Sequence, residues 1–241
     1  MLKSLMRYPE GMPLFYSFLK RQGYSAQLLY KYVKSGWLRK VGPGVYQRDH
    51  GKTDPLLTIK AIQQHLKLPF YVGAQTAMYM QGVMHYIKFK HKHKCFILNQ
   101  DLKLSKWILS FEALDIIKRK LFKPEMAESF VYQDEIKISS HERALIEMSA
   151  LIPKKATFDE LVHLMDLSPS LRAPLIQQLL ENCTSIRAKR IFLYVAEGTQ
   201  HSWFKRINVK KIYLGKGTRQ IVKNGIYIKK YDICIPRLNN E

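Results

Sequence analysis

The chain has 241 residues with 40 Lys or Arg against 19 Asp or Glu, a net charge of +21 and an isoelectric point near 9.8. A hydrophobic fraction of 46% and a mean hydropathy of -0.23 describe a globular chain, and no apolar run is long enough to cross a membrane. The length fits two domains, and the charge calls for a polyanionic partner: DNA, RNA or an acidic protein.

The charge is distributed in blocks. Residues 1–60 hold 11 basic and 3 acidic side chains and residues 183–241 hold 13 and 3, whereas residues 124–182 reverse the balance with 5 and 10. Residues 85–123 add 10 basic and 3 acidic side chains, so one acidic block sits among basic ones. Cys95, Cys183 and Cys234 are odd in number and far apart, which reads as reduced thiols. The opening MLKSLMRYPEG lacks the apolar core of a signal peptide, so a cytoplasmic protein is expected.

In chain order, Lys3–Tyr8 predicts a short helix and Pro13–Gln22 an amphipathic one ending at Gly23. The Gly23-Tyr24-Ser25 turn has the length that sets two helices across each other in a helix-turn-helix. Ser25 is a favourable N-cap for the next helix, in which Ala26, Leu29 and Val33 fall on one face. Gln27, Lys31 and Lys34 fall on the opposite face, where a DNA-reading helix needs an amide and cations. Gly36 stops that helix. Trp37–Val41 and Val45–Arg48 then flank Gly42-Pro43-Gly44, predicting a hairpin that carries Arg39, Lys40 and Arg48. Three helices and this wing make a winged helix-turn-helix over residues 1–52, with residues 53–241 as a second domain. The predicted DNA-binding set is Ser25, Gln27, Lys31 and Lys34 on the helix, with Arg39, Lys40 and Arg48 on phosphates or in the minor groove.

The second domain reads as a larger mixed α/β body, α+β overall. Helices are expected at Leu56–Leu66 and Ala74–Gln81, the second stopped by Gly82, with a strand at Phe70–Val72 between them. Val83–Leu98 alternates as a strand or hairpin with lysines on one parity, and Trp107–Phe122 carries a broken helical period. Phe130–Ile138 reads as one strand, followed by a helix opened by a Ser139–Glu142 capping box. Further helices are expected at Leu161–Leu167, Leu171–Leu180 and Ile186–Ala196, the first preceded by a Thr157 and Glu160 cap. The C-terminus predicts short strands at Lys211–Leu214 and Arg219–Lys223 and, after Asn224-Gly225, a returning strand to Ile235. This basic β-hairpin region carries Lys205, Arg206, Lys210, Lys211, Lys216, Arg219 and Lys223. Cations at that density repel one another, which points to an anionic partner.

Three constellations bear on chemistry. His85, His91, His93 and Cys95 include zinc-ligand types, but they alternate with lysines that would oppose a cation. Gly215-Lys216-Gly217-Thr218 lacks the first glycine and the following helix of a phosphate loop, so a hairpin turn fits better. Glu135 and Lys137, with Asp115 upstream, form an E-x-K pair of the kind that metal-dependent nucleases use, without the Pro-Asp that usually precedes it. No metal, cofactor or catalytic residue is therefore assigned.

With these residues in view, the chain resembles the AbiEi family of antitoxins of bacterial type IV toxin-antitoxin systems. The likeness rests on Tyr30–Leu38 with Gly44-Val45-Tyr46, on Gly73–Ala77 with Gly82, and on His85-Tyr86 and Ile138–Glu147. It continues through Lys189–Tyr194, Leu214–Arg219 and Lys230–Ile233 before Pro236, with His141 standing where the family pattern has Pro. The resemblance implies a winged helix that represses its own operon at inverted repeats in double-stranded DNA. It also implies a C-terminal domain that counters a nucleotidyltransferase-like toxin without a stable complex. A stand-alone regulator and a metal-dependent nuclease are the alternatives.

Overall fold

The amino-terminal part of the chain is built from α1 (Leu2–Leu5), β1 (Pro13–Phe15), α2 (Tyr16–Arg21), α3 (Ala26–Lys34), β2 (Arg39–Gly42) and β3 (Val45–Gln47). A computed structural model describes residues 2–48, 51–83, 92–98, 101–123, 126–223 and 225–236. Leu5, Leu14, Leu19, Leu29, Leu38 and Val45 are buried between these helices and strands. Each such side chain contributes about 1.5–3 kcal/mol relative to exposure.

One expectation changes here. The run Pro13–Gln22 is not helical throughout, because Pro13–Phe15 is a strand paired antiparallel with β3 from Pro13↔Gln47 to Phe15↔Val45. It makes the wing a three-stranded sheet in the order β1-β3-β2. The β2–β3 register shifts between Lys40 and Gly42, and Gly44 turns the chain at φ +67. Ala26 is exposed, so Leu29 supplies the buried face of α3 with Leu28, Tyr32 and Val33 half-buried.

The chain continues through α4 (Pro55–Gln64) and β4 (Phe70–Val72), α5 (Ala74–Met80), β5 (His93–Ile97), α6 (Lys106–Ser110) and β6 (Leu114–Ile117). It then forms β7 (Phe130–Gln133), β8 (Ile136–Ser139), α7 (His141–Leu151), α8 (Phe158–Asp166), α9 (Ala173–Asn182) and α10 (Ile186–Gly198). The last strands are β9 (Arg219–Gln220), β10 (Ile226–Ile228) and β11 (Ile233–Ile235). The chain divides into two compact units, one of Met1–Tyr71, His91–Lys118 and Asp134–Lys137, the other of Val72–Lys90, Arg119–Gln133 and Ile138–Glu241.

In the first unit β5 and β6 run parallel from His93↔Leu114 to Phe96↔Ile117. The helical period expected over residues 107–122 is thus confined to α6, since residues 114–117 find a strand partner that local periodicity does not reveal. Of the long alternating stretch Val83–Leu98, residues 93–97 are strand and residues 84–91 lie outside the described residues.

In the second unit α7 packs against α5, α8, α9 and α10, and nearly all its side chains are buried. Charged residues are buried with them and are satisfied. Glu147 accepts from Arg143 Nε (2.8 Å), the Ser139 hydroxyl (2.9 Å) and the Ala74 backbone N–H (3.0 Å). The Arg143 guanidinium lies 4.4 Å and 4.3 Å from the Phe122 and Phe130 ring centroids. Removing one member of such a pair strands the other charge and costs about 3–5 kcal/mol.

Further expectations are corrected. The helix cap is Ser140, which accepts from Arg143 N, because Ser139 is committed to Glu147 and Glu142 is held by Arg172. Residues 130–138 are two strands, with Asp134 and Glu135 turning between them at φ +48 and +65. At the C-terminus no strand forms over residues 211–214. Lys211 ends a short 3-10 turn, Val209–Lys211, that follows another at Phe204–Arg206. The antiparallel hairpin is β10–β11, turned at residues 229–232, and β9 joins β11 in parallel. Asn224 lies outside the described residues. The seven cations assigned to the hairpin therefore sit before it, on the 3-10 turns, on the loop to β9, on β9 and just after it.

Candidate nucleic-acid interface

The exposed face of α3 begins at its cap. Leu28 N donates to Ser25 Oγ at 3.1 Å, and Gly36 ends the helix at φ +78. Gln27, Lys31 and Lys34 are all exposed along this face. Tyr30 lies between them, 62% exposed, with Lys34 Nζ 5.6 Å from its ring centroid. Residues 27, 30, 31 and 34 have the i, i+3, i+4, i+7 spacing of a single stripe. Tyr30 belongs to the candidate interface although polar patterning passes over it. Its signal is the spacing itself, since an aromatic on the solvent stripe has no core to fill. Trp37, 49% exposed just beyond the helix, is a second such aromatic.

On the wing, Lys40 is exposed and, among the described residues, neither it nor Lys31 or Lys34 pairs with a carboxylate. Arg39 is half-buried and donates to the Gly51 carbonyl. Arg48 is committed inward, donating to the carbonyls of Met6 (2.6 Å) and Tyr8 (2.7 Å) and to Glu10 (3.3 Å). Arg48 thus ties the amino-terminal segment to the end of β3, and among the described residues Lys31, Lys34 and Lys40 are the exposed cations of the candidate surface without a carboxylate partner.

The wing is also buttressed by α6. Trp107 Nε1 donates to the Val41 carbonyl at 3.1 Å, at the register shift, and its ring meets Phe15 edge-on with centroids 5.8 Å apart. Gly42 is the residue that lets the indole in. A Cβ there would meet indole Nε1 at 2.9 Å and Cγ at 3.0 Å. The sequence carries no local sign of this contact.

The second basic surface lies in the other unit. Trp203, fully buried with Nε1 donating to the Ser168 carbonyl (3.1 Å), anchors the 3-10 turn on which Lys205 and Arg206 are exposed. Gln177 exchanges two hydrogen bonds with the Asn208 backbone (3.2 and 2.9 Å), and Arg206 and Lys211 line a cleft beside it. Lys210 is exposed on the second turn. Lys216 projects from a loop organised by Arg190, whose buried guanidinium donates to the carbonyls of Leu214, Gly215, Gly217 and Asp232. Arg219 is on β9 and Lys223 is exposed after it. A buried arginine fitting this loop explains why Gly215-Lys216-Gly217-Thr218 is neither a hairpin turn nor a phosphate loop.

The residues considered for metal chemistry are placed differently from expectation. Glu135 has left the strand for the turn, where Lys60 pairs with it, while Lys137 on β8 exchanges backbone hydrogen bonds with the Gln63 side chain. Asp115 pairs with Lys94 at 2.7 Å. His85 and His91 lie outside the described residues, and Cys95 is fully buried, which together with Asp115 raises its thiol well above the usual range.

Two family models match the chain. One, described as a transcriptional regulator, AbiEi antitoxin N-terminal domain, covers residues 1–89, and the other, a transcriptional regulator, AbiEi antitoxin of a type IV TA system, covers residues 96–236. The chain belongs to the AbiEi antitoxin family. As an AbiEi antitoxin it is a transcriptional regulator of a type IV toxin-antitoxin system, a class that implies DNA binding and a toxin partner. The AbiEi fold here is similar to the crystal structure of the RV2827C protein from Mycobacterium tuberculosis, with a TM-score of 0.69 at 11% identity over 96% of this chain and 88% of that one. At that identity the likeness bears on the α+β fold alone. No curated protein matches this AbiEi sequence significantly. No helix among its described residues is long and apolar enough to cross a membrane.

Proposed function

We propose that this antitoxin represses its own operon by placing α3 in the major groove of operator DNA, with Gln27, Tyr30, Lys31 and Lys34 toward the bases and flanking phosphates and Lys40 on the wing. The observation that carries this reading is a capped, exposed stripe whose cations have no carboxylate partner among the described residues, on a helix backed by a three-stranded wing. Ser25 holds the start of that helix, while Arg39 and Arg48 set the wing and the amino-terminal segment around it. One reader makes few contacts, so two protomers on an inverted repeat supply the affinity. Such a regulator works in the cytoplasm.

The second function, countering a nucleotidyltransferase-like toxin, we assign to the surface of Lys205, Arg206, Lys210, Lys211, Lys216, Arg219 and Lys223. Anchoring of its turns by Trp203, Gln177 and Arg190 supports a shaped surface rather than a merely solvated charge run. The test replaces Lys210, Lys211, Lys216 and Arg219 together by Ser, then measures growth rescue in toxin-expressing cells beside repression of a promoter fusion. Lost rescue with intact repression is expected, and full rescue refutes the assignment. Loss of both in a folded variant would transfer the surface to the operator footprint.

A further inference from the structure

The basic C-terminal surface carries two exposed aromatic rings that neither a solubility role nor simple phosphate contact requires. Tyr213 is 72% exposed and Tyr227 is 53% exposed. Both belong to the cluster that Arg190 organises. Lys189 Nζ donates to the Tyr213 carbonyl (3.1 Å), and Arg190 holds the next turns of chain at Leu214 (2.9 Å), Gly217 (2.8 Å) and the Asp232 carbonyl (2.7 Å). The Asp232 carboxylate then accepts from Thr218 Oγ1 (2.6 Å) and from the Tyr227 hydroxyl (3.1 Å). Tyr227 is therefore fixed at its tip while its ring stays in solvent. Lys216 and Arg219 project from the same short segment, and the carboxylate of Asp232 is already engaged by Thr218 and Tyr227.

We propose that this cluster is a binding platform for single-stranded nucleic acid, with bases stacking on Tyr213 and Tyr227 and phosphates held by Lys216, Arg219 and the neighbouring cations. It rests on the reading that the C-terminal cations serve an anionic partner, and it names that partner. A ring cannot stack on the bases of a duplex, whose faces are hidden, but every unpaired base has a face to stack. Among the described residues Ile226 is the one large aliphatic side chain exposed beside the two rings, too little for the apolar centre of a protein interface. A ring fixed before binding, as Tyr227 is, loses little freedom on binding.

The experiment titrates the full chain against a labelled mixed-sequence strand of about 15 nucleotides, near the site size of such platforms, as RNA and as DNA, with unlabelled duplex occupying the reader. Tyr213→Ala and Tyr227→Ala are each expected to weaken single-strand binding about fivefold or more, while duplex affinity is unchanged. Phe at both positions keeps the rings and is expected to restore binding, which separates stacking from the Tyr227 hydrogen bond. Tyr213→Ala is decisive should Tyr227→Ala disturb the fold, since the Tyr213 hydroxyl has no partner among the described residues. A stronger effect on RNA than on DNA would identify RNA as the source. Single-strand affinity unchanged by both alanines overturns the platform. In that event, continued loss of toxin rescue in the four-serine variant would keep an anionic partner but make it a protein or a duplex, and intact rescue would end both readings.

Discussion

Gly42→Ala tests whether the wing is held by Trp107. The φ of Gly42 is one that any residue adopts, so the backbone itself does not oppose alanine; the obstacle is the indole, whose Nε1 and Cγ would lie 2.9 and 3.0 Å from the new methyl. To restore ordinary contact the ring must retreat, breaking its 3.1 Å bond to the Val41 carbonyl and its edge contact with Phe15. The hydrogen bond is worth about 1 kcal/mol and the aromatic contact about 0.5–1.5 kcal/mol, so the variant should lose about 2 kcal/mol. Urea denaturation followed by Trp fluorescence reads this loss, and a gel-shift titration reads the accompanying fall in operator affinity as Lys40 is displaced. The control is Trp107→Ala, in whose background Gly42→Ala should cost close to nothing, because the clash has been removed. Equal destabilisation in both backgrounds would refute the buttress and place the cost of Gly42→Ala in the backbone.

Lys31→Ala with Lys34→Ala should weaken operator binding and flatten the slope of log affinity against log salt by about one unit for each phosphate no longer neutralised; an unchanged slope would remove α3 from the groove. His65 stacks on Phe18 with centroids 3.8 Å apart, and burial, with Arg21 beside it, lowers its pKa to about 4. The folded state therefore binds the proton less readily than the unfolded chain. Its contribution is fully present above about pH 6.5 and falls by about 1.4 kcal/mol per pH unit toward pH 4. His65→Phe should remove this limb from a stability-versus-pH curve. Glu135→Gln should leave repression and rescue intact, whereas metal-dependent DNA cleavage by the wild type that disappears in this variant would revive the nuclease.

What is legible in the sequence is mostly local. Ser25 and Thr157 accept from the third following backbone N–H as caps, and Gly36 and Gly82 end helices at positive φ. A cap and a stop need only a few neighbouring residues, so short-range chemistry decides them. Pro13–Phe15 reads as helix because its strand partner, Val45–Gln47, lies some thirty residues on, and an amphipathic stretch beside a helix looks helical. The stretch over residues 130–138 conceals a turn because Asp134 and Glu135, not glycines, take the positive φ. At the interface, the cations are visible in composition, but the inward commitment of Arg48 and the reach of Trp107 to the wing depend on tertiary contacts alone.

The carboxylate of Glu147 has a consequence for how this family member can change over time. Because Ala74, Ser139 and Arg143 all donate to it inside a closed core, no one of Ser139, Arg143 and Glu147 can be exchanged without stranding a polar group in an apolar surrounding. Drift at these positions has to be concerted, through several substitutions at once. Lys31, Lys34, Lys210 and Lys216, by contrast, project into solvent and can be replaced one at a time without disturbing any neighbour's hydrogen bonds. An antitoxin kept in step with a changing operator and a changing toxin thus has its freedom at the surface, while the helix that carries Glu147 stays locked.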